Sequence, residues 1–197
     1  CSRWTAASRS SFTFPRDGAG VTGTLTGRVA IVTGASRGIG AAIARRFAAE
    51  GARVALVART VDPGGPLAGS LAEVAAAIGN AGGECCTIAA DLADPPALPG
   101  IVEQAVAAFG GVDILVNNAA WSRFVPIWEA TDKHARLAFQ LNVFTPQALS
   151  QLVLPHMRAA GQGWILNITS ASADMPEPAP WDRDSRYFRF NHDGHAT

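Results

Sequence analysis

Three cysteines, one tyrosine, one lysine and no surplus of either charge mark this chain by what it does without. Cys1 is the first residue, and Cys85 and Cys86 are neighbours, a set that builds no disulfide framework. A reduced, cytoplasmic setting is the simpler expectation. Sixteen basic residues balance sixteen acidic ones, so composition gives no reason to predict nucleic acid or an acidic membrane surface as a partner. No apolar run approaches the roughly 20 residues of a membrane-spanning helix, and no signal-peptide core stands near the start.

What is present is apolar substance. The 197 residues are 48% hydrophobic with a mean hydropathy of +0.15, enough for one sizeable core around a buried parallel sheet. Residues 1–24 stand apart. They are rich in Ser, Arg, Gly and Thr, and Phe12 and Phe14 are too sparse to form a core, which predicts a disordered tail. A transit peptide would share the Arg and Ser content, but Asp17 and the lack of an amphipathic face speak against it.

From residue 25 onward, strand and helix patterns alternate. Strands are expected at Val29–Thr33, Arg53–Ala58, Glu84–Ala89, Ile114–Asn117 and Trp164–Thr169. Helices are expected at Gly40–Glu50, Leu67–Ala81 and Pro96–Phe109, and then over a long stretch from about Trp128 to Ala160. That stretch should be two helices meeting near Asn142 and Pro146, because proline disfavours the α conformation in the residue before it. Such alternation argues for a parallel sheet with right-handed crossovers and helices on both faces. After Met175, three prolines with Trp181 and mixed charges read as an irregular loop over 174–197.

The segment Arg28–Gly40, RVAIVTGASRGIG, carries the most chemistry. A β-branched run stops at Thr33; Gly34, Gly38 and Gly40 then open an alanine-rich helix. Strand, glycine turn and helix N-terminus together cradle a phosphate: backbone N–H groups and the positive end of the helix dipole face the anion, and glycines let it come close. This predicts a dinucleotide ligand. At the end of the second strand, where a binder of NAD places an acid for the ribose 2′-hydroxyl, the chain has Ala58, Arg59 and Thr60. With Arg37 in the turn, Arg59 suits a 2′-phosphate, so NADP is expected ahead of NAD.

Five ordered motifs between about Leu25 and Ala173 resemble the short-chain dehydrogenase/reductase family. TGASRGIG (Thr33–Gly40) is similar to its cofactor turn, which implicates Gly34, Ser36, Arg37, Gly38, Ile39 and Gly40. Asp91 and Leu92 match its adenine-side position, with a cap on a turn or on the Pro95 helix as the less favoured alternative for Asp91. NNAA (Asn117–Ala120) is similar to its NNAG, with Ala120 in place of glycine; the resemblance has Asn117 tie strands together and the ribose pass over Ala119. Asn142 in LNVF matches its active-site asparagine, whose carbonyl holds a relay water, and Ser170 in LNITSAS matches its catalytic serine. Either residue could instead serve structure alone, as a helix-kink asparagine or a turn hydroxyl. Trp121, Phe124, Trp128 and Trp181 are candidate substrate walls or core residues.

The resemblance implies a doubly wound α/β fold of Rossmann type, dinucleotide-binding over 25–173, with strand order 3-2-1-4-5 and a sheet truncated after the fifth strand. It also implies hydride transfer between a small-molecule alcohol or carbonyl and NADP, with no metal, and a homo-oligomer for the full-length parent. The family's Tyr-x-x-x-Lys pair is missing: Lys133 precedes Tyr187, and Asn191 stands four residues after that tyrosine. The preferred expectation is an inactive fragment that stops before the catalytic helix, since the chain begins at Cys1, ends in a loop and retains Asn142 and Ser170. The alternative is a complete, non-catalytic nucleotide-binding relative. A Rossmann-like regulatory or methyl-transfer module accounts for Thr33–Gly40 alone.

Overall fold

The computed structural model describes residues 23–64, 67–123, 125 and 127–170. The expected tail, the loop after 174, Phe124, Trp181 and Tyr187 lie outside or almost wholly outside the described residues. The strands are β1 (Val29–Thr33), β2 (Arg53–Ala58), β3 (Glu84–Ala89), β4 (Ile114–Asn117) and β5 (Trp164–Asn167). They pair in parallel in the order β3-β2-β1-β4-β5. The α-helices are α1 (Gly38–Ala49), α2 (Leu71–Asn80), α3 (Leu98–Phe109), α4 (Asp132–Phe139) and α5 (Thr145–Ala159). The doubly wound fold and its strand order are as the sequence predicts. Among the described residues, no helix is long and apolar enough to cross a membrane.

Period-two alternation divides the central strands between two cores. Val29, Ile31, Ala55 and Val57 face α3 and α5, packing with Ile101, Ala105, Leu149 and Val153. Ala30, Val32, Val54 and Leu56 face α1 and α2, packing with Ala41, Ala44, Leu71 and Ile78. Strands buried on both faces have to be apolar at every position, which is why β1 and β2 read as continuous hydrophobic runs. On the edge strand β3, half-buried Cys85 and Cys86 alternate likewise and pack against opposite cores.

The helix boundaries move where local chemistry intervenes. α2 starts four residues later than expected because Ser70 caps it, its hydroxyl accepting from the Glu73 N–H at 3.2 Å. Pro95–Ala97 forms a 3-10 turn ahead of α3. β5 ends at Asn167, two residues short of expectation; its last rung is the Ile168 N–H on the Asn117 carbonyl at 2.9 Å.

The two helices expected to meet near Asn142 and Pro146 are α4 and α5, and they do meet there; what differs is the junction. No break separates them; a π-helical turn, Gln140–Phe144, carries the chain through. Pro146 stands just past it, in the first turn of α5. In a regular α-helix its ring would collide with the carbonyl of residue 142 and it could give that carbonyl no N–H. A wider turn avoids the collision, and a π turn of this kind often marks a functional position.

Candidate functional site

β1 leads to β2 and β3 on one side, and the chain then returns to place β4 on the other. At such a reversal the strand C-termini leave a crevice. Thr33, the last residue of β1, forms its floor. Its buried hydroxyl donates to the Val116 carbonyl at 3.1 Å and accepts from the backbone N–H groups of Asn118 (3.0 Å) and Ala119 (3.1 Å). Asn118 Nδ2 donates back to the Thr33 carbonyl at 2.9 Å.

The glycine turn lies on this floor. The Ala35 N–H donates to the Val57 carbonyl at 3.1 Å, pinning the turn to β2, and Ser36 is buried. Gly40 stands where a Cβ would collide with the Gly34 carbonyl oxygen and with Asn118 Nδ2, so only glycine lets α1 begin this close to β4. Gly38 adopts φ +53° with nothing within 4 Å of where a Cβ would stand. α1 starts there without a capping side chain and without an acid in its first turn. Its first N–H groups and the positive end of its dipole therefore face the crevice with no side chain to neutralise them, which is the chemistry of an anion site. Ile39 is exposed beside it.

Arg37 leaves this turn toward the end of β2. Nη2 donates to Thr60 Oγ1 at 3.1 Å and to the Gly69 carbonyl at 3.2 Å. Nη1 is buried, with no acceptor in reach among the described residues. Arg59 is exposed and takes no part in this cluster. At the end of β3, exposed Asp91 folds its own turn: Oδ1 accepts from the Ala93 N–H at 3.0 Å and its carbonyl from the Asp94 N–H at 3.1 Å. It does not cap the Pro95 turn, whose N-cap is Asp94. Buried Leu92 follows, and its carbonyl accepts from Thr145 Oγ1 at 2.7 Å.

Asn117 donates from Nδ2 to Asn167 Oδ1 at 2.9 Å across the β4–β5 pair, while its own Oδ1 is buried with no donor in reach among the described residues. Ala119 is half-buried and Ala120 exposed. Asn142 lies within the π turn and pairs twice with the backbone of Trp121: Oδ1 accepts from its N–H at 3.0 Å and Nδ2 donates to its carbonyl at 2.9 Å. This ties the loop after β4 to the turn between α4 and α5. Ser170 stands exposed three residues beyond β5. Of the aromatic candidates, Trp121 is half-buried with its ring 6.0 Å from that of His134, and Trp128 is 82% exposed.

The C-terminal edge of the sheet thus carries the glycine turn, Arg37, Asp91, Leu92, Asn117 and Ala119, with Ser170 just beyond β5. Thr33, Thr60, Gly69, Asn118 and Thr145 join the cluster without having been singled out from sequence. Each acts through a backbone group or a side chain at least 23 positions away, and no local pattern announces such a contact.

A model described as short chain dehydrogenase matches residues 28–180. Hydroxysteroid dehydrogenase-like protein 2 of Danio rerio is 40% identical over 148 residues, which cover 75% of this chain and 36% of that protein. A metagenomic short-chain oxidoreductase solved in complex with NADP aligns with a TM-score of 0.71 and 40% identity, over 78% of this chain and 66% of the other. A 7α-hydroxysteroid dehydrogenase solved with NADH and 7-oxo glycochenodeoxycholic acid aligns with a TM-score of 0.72 and 36% identity, over 80% and 58%. Matched from the strand before the glycine turn to beyond β5, the chain belongs to the short chain dehydrogenase family.

Proposed function

We propose that this chain is the cofactor-binding part, within residues 25–173, of an oxidoreductase that interconverts a small-molecule alcohol and carbonyl, and that it takes NADP in preference to NAD. One observation carries the cofactor choice: Arg37 has a buried Nη1 with no acceptor among the described residues, while Ala58, Arg59 and Thr60 put no carboxylate at the end of β2. A buried guanidinium nitrogen without an acceptor is costly, and the dianionic 2′-phosphate is the part of NADP that NAD lacks. Solved relatives carry NADP in one case and NADH in another, so the choice rests on this chain's own residues.

Gly34, Ser36, Gly38, Ile39 and Gly40 take the pyrophosphate side, Arg37 and Arg59 the 2′-phosphate, Asp91 and Leu92 the adenine, and Asn117 and Ala119 the ribose. When bound, the nicotinamide gives or receives the hydride. Ser170 hydrogen-bonds the substrate oxygen, and Asn142 offers its backbone carbonyl to a relay water. The Tyr-x-x-x-Lys pair that would move the proton is absent from these 197 residues, so the chain binds nucleotide without turning over substrate. A cytoplasmic location and a homo-oligomeric full-length parent belong to the same proposal.

Calorimetric titration of the purified chain with NADP and NAD tests it. NADP is expected to bind more tightly, and Arg59→Asp to narrow the difference. Equal affinities for the two nucleotides in the wild-type chain, or NADPH-dependent carbonyl reduction lost in Ser170→Ala, would overturn the reading.

A further inference from the structure

Arg37 is held from outside the phosphate turn. Both hydrogens of Nη2 are committed, one to Thr60 Oγ1 and one to the Gly69 carbonyl, and Nε approaches the Ser36 hydroxyl at 3.5 Å. Among the described residues, no carboxylate comes within ion-pair distance of it. A partly buried positive charge thus rests on neutral acceptors, with Nη1 left over.

Thr60 and Gly69 stand at the two ends of the connection between β2 and α2. Those ends are laced together: the Leu71 N–H donates to the Thr60 carbonyl at 3.0 Å and the Ala72 N–H to the Val61 carbonyl at 2.9 Å. Gly69 has φ +97°, and a Cβ there would lie 2.6 Å from the Ser36 carbonyl oxygen and 2.9 Å from Arg37 Cβ. The connection is therefore pressed onto the phosphate turn more closely than any side chain permits.

We propose that Thr60 and Gly69 form a selectivity clamp: by engaging Nη2 from both ends of the connection, they fix the plane of the Arg37 guanidinium and leave Nη1 as the donor for the 2′-phosphate. This rests on the NADP reading above. Thr60 and Gly69 are positioning residues, acting through Arg37. An unclamped arginine keeps its charge but swings on a flexible stem, and the hydrogen bonds it then makes come at a higher cost in side-chain entropy.

The experiment compares NADP and NAD affinities by calorimetry in the purified chain and in Gly69→Ala, Thr60→Val, Thr60→Ser and Arg37→Met. Gly69→Ala is expected to cut the NADP-to-NAD affinity ratio by about tenfold, the size of a lost charge-assisted hydrogen bond. Thr60→Val lowers the ratio in the same sense, and Thr60→Ser, which keeps the hydroxyl, preserves it. A connection that only supports the fold would weaken both nucleotides alike. If Gly69→Ala and Thr60→Val leave the ratio intact, or weaken both nucleotides equally, while Arg37→Met collapses it, the clamp is wrong and the NADP reading survives. An unchanged ratio in Arg37→Met sinks both. Should Gly69→Ala fail to fold, as circular dichroism would report, the Val and Ser pair at Thr60 decides alone.

Discussion

Thr33 and Asn118 hold each other reciprocally: the Thr33 hydroxyl accepts from the Asn118 backbone N–H at 3.0 Å, and Asn118 Nδ2 donates to the Thr33 carbonyl at 2.9 Å. The pair joins the ends of β1 and β4, the two strands between which the crevice opens. Thr33→Val keeps the shape of the side chain but removes three hydrogen bonds at once, to Val116, Asn118 and Ala119. The loss should cost about 2–4 kcal/mol, as several buried backbone groups lose their partner. Thr33→Ser keeps the hydroxyl and should cost only about 1 kcal/mol for the missing methyl. Urea unfolding of the two variants separates these effects; equal costs would remove the hydroxyl from the account.

Much of this arrangement was legible in the sequence, and the reason is burial. Strands covered on both faces must be apolar, and β1, β2 and β4 have the bounds that their apolar runs indicate; β3, at the sheet edge and largely uncovered, also has its expected bounds, but Glu84 and Thr87 break its apolar run. The glycine turn was legible because it needs a positive φ at Gly38 and has no room for a Cβ at Gly40. The π turn was not: Pro146 beside it reads as a helix break, while Pro155 stands inside α5 without one, so a proline alone does not announce where a helical turn widens. Nor were Arg37's partners. Arg37 itself stands out as a charge in a glycine loop, but Thr60 and Gly69 reach it only once β2 and α2 are in place.

Glu50 gives the chain a pH dependence. Its carboxylate accepts from Thr24 Oγ1 at 2.8 Å and pairs with Arg46 at 2.5 Å. The Thr24 hydrogen bond chiefly, with Arg46 adding to it, holds the carboxyl below the usual carboxylate range against the opposing effect of burial. A lowered folded-state value means that the contribution is present above the ordinary pKa of about 4.3 and is lost as pH falls through the lowered one. Glu50→Gln should melt below wild type at neutral pH, and the gap should close under acid. A gap of constant size from neutral pH down to acid would show that ionisation is not what matters.

The thiols of β3 should be inert. Burial pushes the Cys86 thiol up to about 11, with Cys85 adding to it, and burial also raises Cys85, with Glu84 adding to it. The thiolate is the reactive form, so at pH 8 iodoacetamide should label Cys86 about a hundredfold more slowly in the folded chain than in urea. The same raised value is a stability statement: its contribution is full below the unfolded pKa of about 8.5 and is lost as pH rises toward the folded one. Mass spectrometry of the peptide bearing Cys85 and Cys86 reads the labelling directly, and equal rates in the two states would contradict the assignment.

Pro146 offers the sharpest test of what holds the π turn around Asn142. Having no N–H, it can give no α-helical hydrogen bond to the carbonyl four residues earlier, and that carbonyl belongs to Asn142. Meanwhile the Asn142 side chain is committed to the backbone of Trp121, which fixes the orientation of the residue. Pro146→Ala restores an N–H at this position and removes the ring. The turn is then expected to tighten toward a regular α-helix, raising the melting temperature slightly while engaging the Asn142 carbonyl within the helix. Hydrogen exchange at the new amide of position 146 should be protected in the variant, and the Trp121 amide should exchange faster as the side-chain pair is pulled away. A fast-exchanging amide at 146 with Trp121 unaffected would mean that the π turn is held by something other than the proline.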